Sequence, residues 1–133
     1  MRFLHSLIAV ASLGAAAPSF GADVRIAGTF SNLRYNSEGG DLSGLEILII
    51  PAEGDRLGYV ALVQVAEGGG PYSALVPVKV KGTHVEFALP MDGPYHGMQF
   101  SGVVSANGLT GTWSTGNHEV LKRGTSYWDR AAL

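Results

Sequence analysis

Apolar and polar residues alternate in short runs along most of this chain. In one run Val76, Val78 and Val80 lie on one side of an extended backbone, and Lys79 and Lys81 lie on the other. A period of two residues is typical of a β-strand with one buried face. The same criterion predicts eight strands, within residues 24–30, 45–50, 58–65, 72–81, 84–89, 98–104, 109–113 and 119–122. No sustained apolar period of 3.6 residues follows position 22, so we expect little helix.

Short connections, several of them rich in glycine, separate these runs. Asn107-Gly108 is the strongest hairpin signal, because both residues tolerate a positive φ angle. Connections this short join neighbouring antiparallel strands. We therefore predict an all-β fold, an antiparallel up-and-down meander of about eight strands that closes into a small barrel and so removes its exposed edges. Because proline is confined to sheet edges and bulges, Pro77 leaves a partly open barrel or a β-sandwich as alternatives.

The second and third predicted strands are apolar on both faces. A strand with one solvated face should carry apolar side chains on one side only. We therefore expect the outer face of this hairpin to be an interface, covered either by another subunit or by the aromatic C-terminal tail. The expected interface residues are Leu48, Ile50, Val60, Leu62, Tyr127 and Trp128. The expected core carries four aromatic residues on its other strands, Phe30, Phe87, Phe100 and Trp113.

The first 22 residues have the pattern of a secretory signal peptide. One cation, Arg2, precedes an uncharged apolar run from Leu7 to Ala17, and small residues follow it. The run is shorter than the roughly 20 residues that a transmembrane helix needs. We predict a cleaved signal at 1–22, a single antiparallel β domain at 23–124 and a C-terminal tail at 125–133. The expected location is periplasmic or secreted, with no transmembrane segment in the mature chain.

Charge and cysteine content narrow the classes of partner. The 133 residues contain no cysteine, so no disulfide forms and the fold depends on core burial. Without Arg2 the chain has eight Lys and Arg residues and eleven Asp and Glu residues, which gives a net charge of about −3. These charges are scattered and form no basic stripe, so nucleic acid is not an expected partner.

The segment 35–44 is the best place to look for a metal ligand set. Glu38 and Asp41 lie among polar oxygens and glycines, and hard cations such as calcium bind oxygen ligands. The spacing does not match the twelve-residue calcium loop, and a third acid is missing. We therefore predict no metal, and interpret the segment as Asx-type turns in a solvated loop.

Catalytic motifs are not visible in the sequence. His84, His96 and His118 are far apart and lack the spacing of zinc ligands. Ser43 and Ser101 lack the Gly-x-Ser-x-Gly pattern of a nucleophile elbow. We predict no catalytic residues and no cofactor.

The segment Gly111-Thr112-Trp113 resembles the Gly-x-Trp signature of calycin-type barrels, which include lipocalins, avidins and certain periplasmic protein inhibitors. The resemblance implies an eight-stranded up-and-down barrel that holds a small apolar ligand or engages a protein partner. In those families the motif lies on the first strand, where the tryptophan plugs the barrel floor. Here it lies on the seventh predicted strand, so no binding residue is carried over.

These observations favour an exported, non-catalytic binding module that recognises an apolar small molecule or a protein surface. An oligomeric structural or interaction protein is the first alternative, with the doubly apolar hairpin as the subunit interface. An enzyme whose site is invisible to residue spacing is the second.

Overall fold

The computed structural model describes residues 23–53 and 58–131. The predicted signal peptide and the last two residues of the predicted tail lie outside these ranges. Nine strands and one short helix form in the described residues: β1 (Gly28–Ser31), β2 (Arg34–Asn36), β3 (Asp41–Ala52), β4 (Gly58–Gly69), β5 (Tyr72–Lys81), β6 (His84–Ala88), β7 (Gln99–Val104), β8 (Gly108–Trp113), β9 (His118–Arg123) and α1 (Tyr127–Arg130).

Eight of the strands form a closed antiparallel barrel. From β3 to β9 each strand pairs with its neighbour in sequence, and β1 closes the ring by pairing with both β3 and β9. The predicted all-β up-and-down barrel is therefore confirmed, and the open-barrel and sandwich alternatives are not adopted. The additional strand β2 pairs with the start of β3.

The segment predicted as a solvated loop at 35–44 is instead largely a β-hairpin. β2 and β3 flank the turn 37–40, where the Glu38 N–H donates to Asn36 Oδ1 at 3.1 Å, so the Asx-type turn itself is present. β3 begins at Asp41 rather than Leu45. Polar residues and glycine hid this part of the strand from the hydrophobic pattern. The strand continues through Gly44, whose φ is 113° and which packs closely against the Asn32 backbone.

The first strand is shorter than predicted, because residues 24–27 lie outside the sheet. The Arg123 side chain of β9 holds this segment instead. Its guanidinium donates to the carbonyl oxygens of Arg25 and Ala27, and to that of Ser105 at 3.1 Å. These bonds satisfy backbone acceptors that strand pairing would otherwise have used.

The hairpin at Asn107-Gly108 forms, but by a different mechanism from the one predicted. Neither residue has a positive φ. The Ser105 hydroxyl accepts hydrogen bonds from the N–H groups of both, at 3.3 and 3.1 Å. Gly108 is required for another reason, because a Cβ there would collide with the carbonyl oxygen of Leu121 on β9.

The barrel interior is filled by side chains from every strand of the ring. Seven inward-facing residues have no exposed surface at all: Phe30, Ile47, Ile49, Ala61, Val63, Val85 and Leu109. An internal void large enough for water would leave exposed surface on the side chains that line it. The core around these residues is therefore tightly packed, as protein interiors generally are.

Candidate functional site

An exposed apolar surface covers the outside of β3, β4 and β5. Cross-strand pairing aligns Leu48 with Leu62 and Leu62 with Leu75. Leu75 is 67% exposed and Leu62 is 37% exposed, so this row faces solvent. A second row aligns Ile50, which is 43% exposed, with Val60. We name these five residues the outer apolar face.

The C-terminal tail covers one end of this surface. Glu46 precedes Leu48 on the outward side of β3 and is only 4% exposed. Its carboxylate accepts hydrogen bonds from the Ser126 hydroxyl and, at 2.7 Å, from the Tyr127 N–H. A buried carboxylate is tolerated when such donors replace water. The tail is thereby fixed beside the outer apolar face and leaves the two rows described above uncovered.

The two aromatic residues of the tail make different contacts. Trp128 donates from Nε1 to the Gln64 side-chain oxygen on β4 at 2.7 Å and stays 37% exposed. Tyr127 packs on a second apolar cluster, formed by Leu33, Leu42 and Ala66 at the β2 end of β3. Of the six predicted interface residues, four lie on the outer apolar face and the two tail aromatics lie beside it.

The four aromatic residues predicted for the core point into the barrel and are at most 5% exposed. Phe87 and Phe100 stack with ring centroids 5.0 Å apart, and the Trp113 ring meets Phe100 edge-on at the same distance. Phe30 lies near the opposite end of the barrel, where the Arg123 guanidinium sits 4.6 Å from its ring centroid. Burial and the charge of Arg25 lower the pKa of Arg123 from its ordinary value.

A groove of about 570 Å³ lies where β5 and β6 separate. Eight of its twelve lining residues are exposed, so it opens on the outer surface. The other four belong to the core and form its floor: Val78, Phe87, Phe100 and Trp113. It runs from Pro77 on β5 past Glu86 and Ala88 to Gln99 and Ser114. We name it the seam groove.

A serine, a histidine and a glutamate meet at the edge of this groove without forming a catalytic relay. Glu86 Oε1 lies 3.0 Å from His84 Nε2, and Ser101 Oγ lies 3.2 Å from the same nitrogen. In a nucleophilic triad the carboxylate and the nucleophile contact different nitrogens of the imidazole ring. All three side chains are also well exposed or half-exposed. The arrangement is a surface hydrogen-bond cluster.

The remaining predicted site residues are dispersed. Glu38 and Asp41 lie exposed at the β2–β3 turn. His96 lies in the loop after β6, and His118 lies beside Thr112 on the outer surface. Within the described part of the chain, no three His, Cys, Asp or Glu residues lie close enough together to hold a metal ion.

Sequence reasoning missed Leu75 and Glu46. Leu75 lies on the opposite face of β5 from Val76 and Val78. This position could have indicated that β5 extends the doubly apolar surface of β3 and β4. Glu46 is a single acid inside an apolar strand, which indicates a specific partner. One sequence feature indicated the seam groove: Pro77 lies inside a strand, where proline is typical of a sheet edge.

Comparison with protein-family models, with curated proteins and with solved structures gives no match to this chain. Across residues 23–53 and 58–131, no helix has the length and apolar character needed to cross a membrane.

Proposed function

We propose that this protein is an exported, non-catalytic binding module that engages a protein surface through the outer apolar face, and that a second copy of the chain is its partner there. The observation that carries the proposal is the alignment of Leu48, Leu62 and Leu75 in one solvent-facing row. Contiguous exposed apolar surface of this kind marks interaction sites in soluble proteins. Export rests on the signal-peptide pattern of residues 1–22.

The packed barrel interior favours a protein partner over an apolar small molecule. Pockets for small ligands are concave and commonly span about 300–1,000 Å³. The fully buried inward side chains enclose no such space. The seam groove has a volume in this range, but it lies open between exposed side chains such as Lys79, Glu86 and Gln99 instead of being enclosed by the barrel. The outer apolar face instead spans three adjacent strands on the outside of the barrel, which suits a second protein surface.

A second copy suits this face because all five of its residues are uncharged. In a two-fold dimer each residue meets its own equivalents or their neighbours, so any charge at the centre would oppose a like charge. The uncharged rows avoid this cost. The tail fixes only the end around Glu46 and Gln64, and the rows from Leu48 to Leu75 remain available for the partner.

The calycin-type relationship is part of the same proposal. Those barrels carry Gly-x-Trp on the first strand, with the tryptophan plugging the floor. Here Gly28-Thr29-Phe30 lies on the first strand, and the fully buried Phe30 packs beneath Arg123. Gly111-Thr112-Trp113 lies on β8, so the first-strand glycine and aromatic residue are the stronger support for this relationship.

Light scattering of the mature protein tests the proposed partner. We expect the wild type to be a dimer, and Leu48→Lys with Leu62→Lys to be a folded monomer, because two cations per subunit would face their equivalents. The control is Val103→Lys with Val120→Lys, which adds the same charge at valines that are 51% and 62% exposed on β7 and β9. This control should remain a dimer. A monomeric wild type, or equal behaviour of the two double variants, would contradict the proposal.

A further inference from the structure

The seam between β5 and β6 is paired over a short stretch. The ladder joins Lys79–Lys81 to His84–Glu86. β5 begins earlier, at Tyr72, and over residues 72–78 its described strand partner is β4 alone. The side of β5 that faces β6 is therefore a sheet edge inside an otherwise closed barrel.

Neighbouring hydrogen bonds fix which backbone groups face this seam. The Leu89 N–H donates to the Met98 carbonyl, and the Val104 N–H donates to the Thr83 carbonyl, both at 2.9 Å. Odd-numbered residues along β6 therefore bond to β7. Because the direction alternates along an antiparallel strand, even-numbered residues bond to β5. Ala88 is the last of these, and its N–H and C=O face the seam.

The same alternation applies to β5. Its odd-numbered residues bond to β6 within the ladder, so Ser73, Leu75 and Pro77 direct their backbone groups toward the seam beyond it. Pro77 lies at the register position opposite Ala88 and has no N–H to donate. The ladder of paired residues ends at Lys79 and Glu86, and among the described residues no backbone hydrogen bond crosses the seam at Ser73 or Leu75. The proline thus explains why the ladder stops.

The seam groove lies beside these unpaired groups. Pro77 and Ala88 are both among its lining residues, and its far wall is formed by β7 and β8. A row of unpaired N–H and C=O groups is a template for another strand. Extended peptides are recognised at such edges by main-chain hydrogen bonds, and adjacent pockets select their side chains.

We propose that the seam binds an extended peptide segment of a partner protein, which adds as a strand along Ser73–Pro77 of β5 and enters the seam groove at Ala88. A segment with an apolar residue beside Leu75 and polar residues beside Lys79 and Glu86 matches the side chains that flank this path. Leu75 belongs both to this path and to the outer apolar face, but strand addition uses the backbone edge of β5, whereas the outer apolar face uses outward side chains.

Amide hydrogen exchange tests whether the edge is open. In the free protein the Leu75 and Ala88 amides should exchange quickly, whereas the Val76 amide, which points to β4, should be protected. Slow exchange at Leu75 and Ala88 would show that the edge is already paired and would overturn the proposal.

A synthetic probe then tests strand addition, with a capped peptide of alternating threonine and valine. Recognition through the main chain depends little on the peptide's side chains. We therefore expect saturable chemical-shift changes, and new protection of the Leu75 and Ala88 amides against hydrogen exchange. The matched control is the same peptide N-methylated on its seam-facing residues. It should bind at least about tenfold more weakly, since each lost hydrogen bond contributes to affinity. No shift at millimolar peptide, or equal binding of both peptides, would overturn the proposal.

Two variants at Leu75 separate the contribution of its backbone N–H to peptide binding from that of its side chain. Leu75→Pro removes the seam-facing N–H but no bond to β4, and should weaken the unmodified peptide by about tenfold. Leu75→Ala retains that N–H and should bind within a factor of about three. If Leu75→Pro fails to fold, the N-methylated peptide still decides the question. Equal weakening by both variants would indicate a side-chain contact and would contradict strand addition.

Discussion

The two halves of the barrel wall are built differently. In the half formed by β6 to β9, inward apolar residues alternate with outward residues that are mostly polar, such as Glu86, Ser101 and Thr112. Val103 and Val120 are exposed apolar exceptions. In the half formed by β3 to β5, apolar residues occupy both sides, and Leu48 and Leu62 face outward. The first half carries a solvated surface, whereas the second carries more apolar surface than one core requires.

This difference separates residues that stabilise the fold from residues that are available for binding. The inward face is fully buried in both halves, as Val63 on β4 and Val85 on β6 show. The extra apolar residues of β3 to β5 add nothing to that interior. Their exposure is a cost to solubility that an interaction would remove.

The largest expected effect is at Trp113, on the inward side of the solvated half. Trp113→Ala should lower the free energy of unfolding by about 3–5 kcal/mol, because the ring packs on Phe100 and its loss leaves a cavity. Leu75→Ala is the control from the other half. It truncates a side chain that is 67% exposed, and at protein concentrations too low for the proposed dimer it should change stability by less than about 0.5 kcal/mol. Urea unfolding monitored by circular dichroism gives both values, and comparable losses would contradict the division between the two faces.

A smaller effect is expected where the tail meets the apolar half. Glu46→Ala removes the acceptor for Ser126 and Tyr127, and should cost about 1.5–3 kcal/mol, the range for hydrogen bonds to charged groups. Glu86→Ala, in the other half, removes an exposed contact to His84 and should cost at most about 1 kcal/mol. The Glu46 variant alone should also release Trp128, seen as a red shift in tryptophan emission. Equal costs, or an unchanged emission maximum, would show that Glu46 does not fix the tail.

The sequence was most informative where one physical rule decides the structure. Alternation placed Phe87, Phe100 and Trp113 inward, since a period of two leaves no other arrangement for a half-buried strand. It also separated Leu48 and Leu62 from their inward neighbours. Barrel closure followed from short connections and the cost of open edges.

The sequence was least informative where the hydrogen bonds of a single side chain replace a contact within the sheet. Arg123 holds residues 25–27 through long-range hydrogen bonds, and no local pattern reports a contact 96 residues away. Ser105 organises the turn before Gly108, although Asn-Gly chemistry predicted a positive φ. The polar β2–β3 hairpin has no apolar alternation to detect. Pro77 did indicate a sheet edge, but its position opposite Ala88 depends on the register of β5 and β6.

The smallest expected effect is a pH dependence of stability that arises at Tyr95, where the two halves meet at one end of the barrel. Tyr95, in the loop between β6 and β7, packs at 5.5 Å from the Tyr72 ring of β5. Burial, followed by the charge of Glu67 on β4 and a hydrogen bond to it, raises the pKa of Tyr95 above its ordinary value of about 10. The folded state therefore retains this proton at pH values where the unfolded chain loses it. The resulting stabilisation is fully present below about pH 10 and is lost as pH rises through the folded-state pKa.

Denaturant unfolding between pH 8 and about pH 11 should show this loss in the wild type. Tyr95→Phe removes the titrating group, so its stability should fall less steeply over the same interval. Tyr35→Phe is the matched control, because Tyr35 is 59% exposed on β2, and this variant should follow the wild-type curve. If Tyr95→Phe also follows that curve, the contact between Tyr95 and Glu67 does not couple the loop to β4. The loop would then be held at this end by its other contacts, such as the packing of Tyr95 on Tyr72.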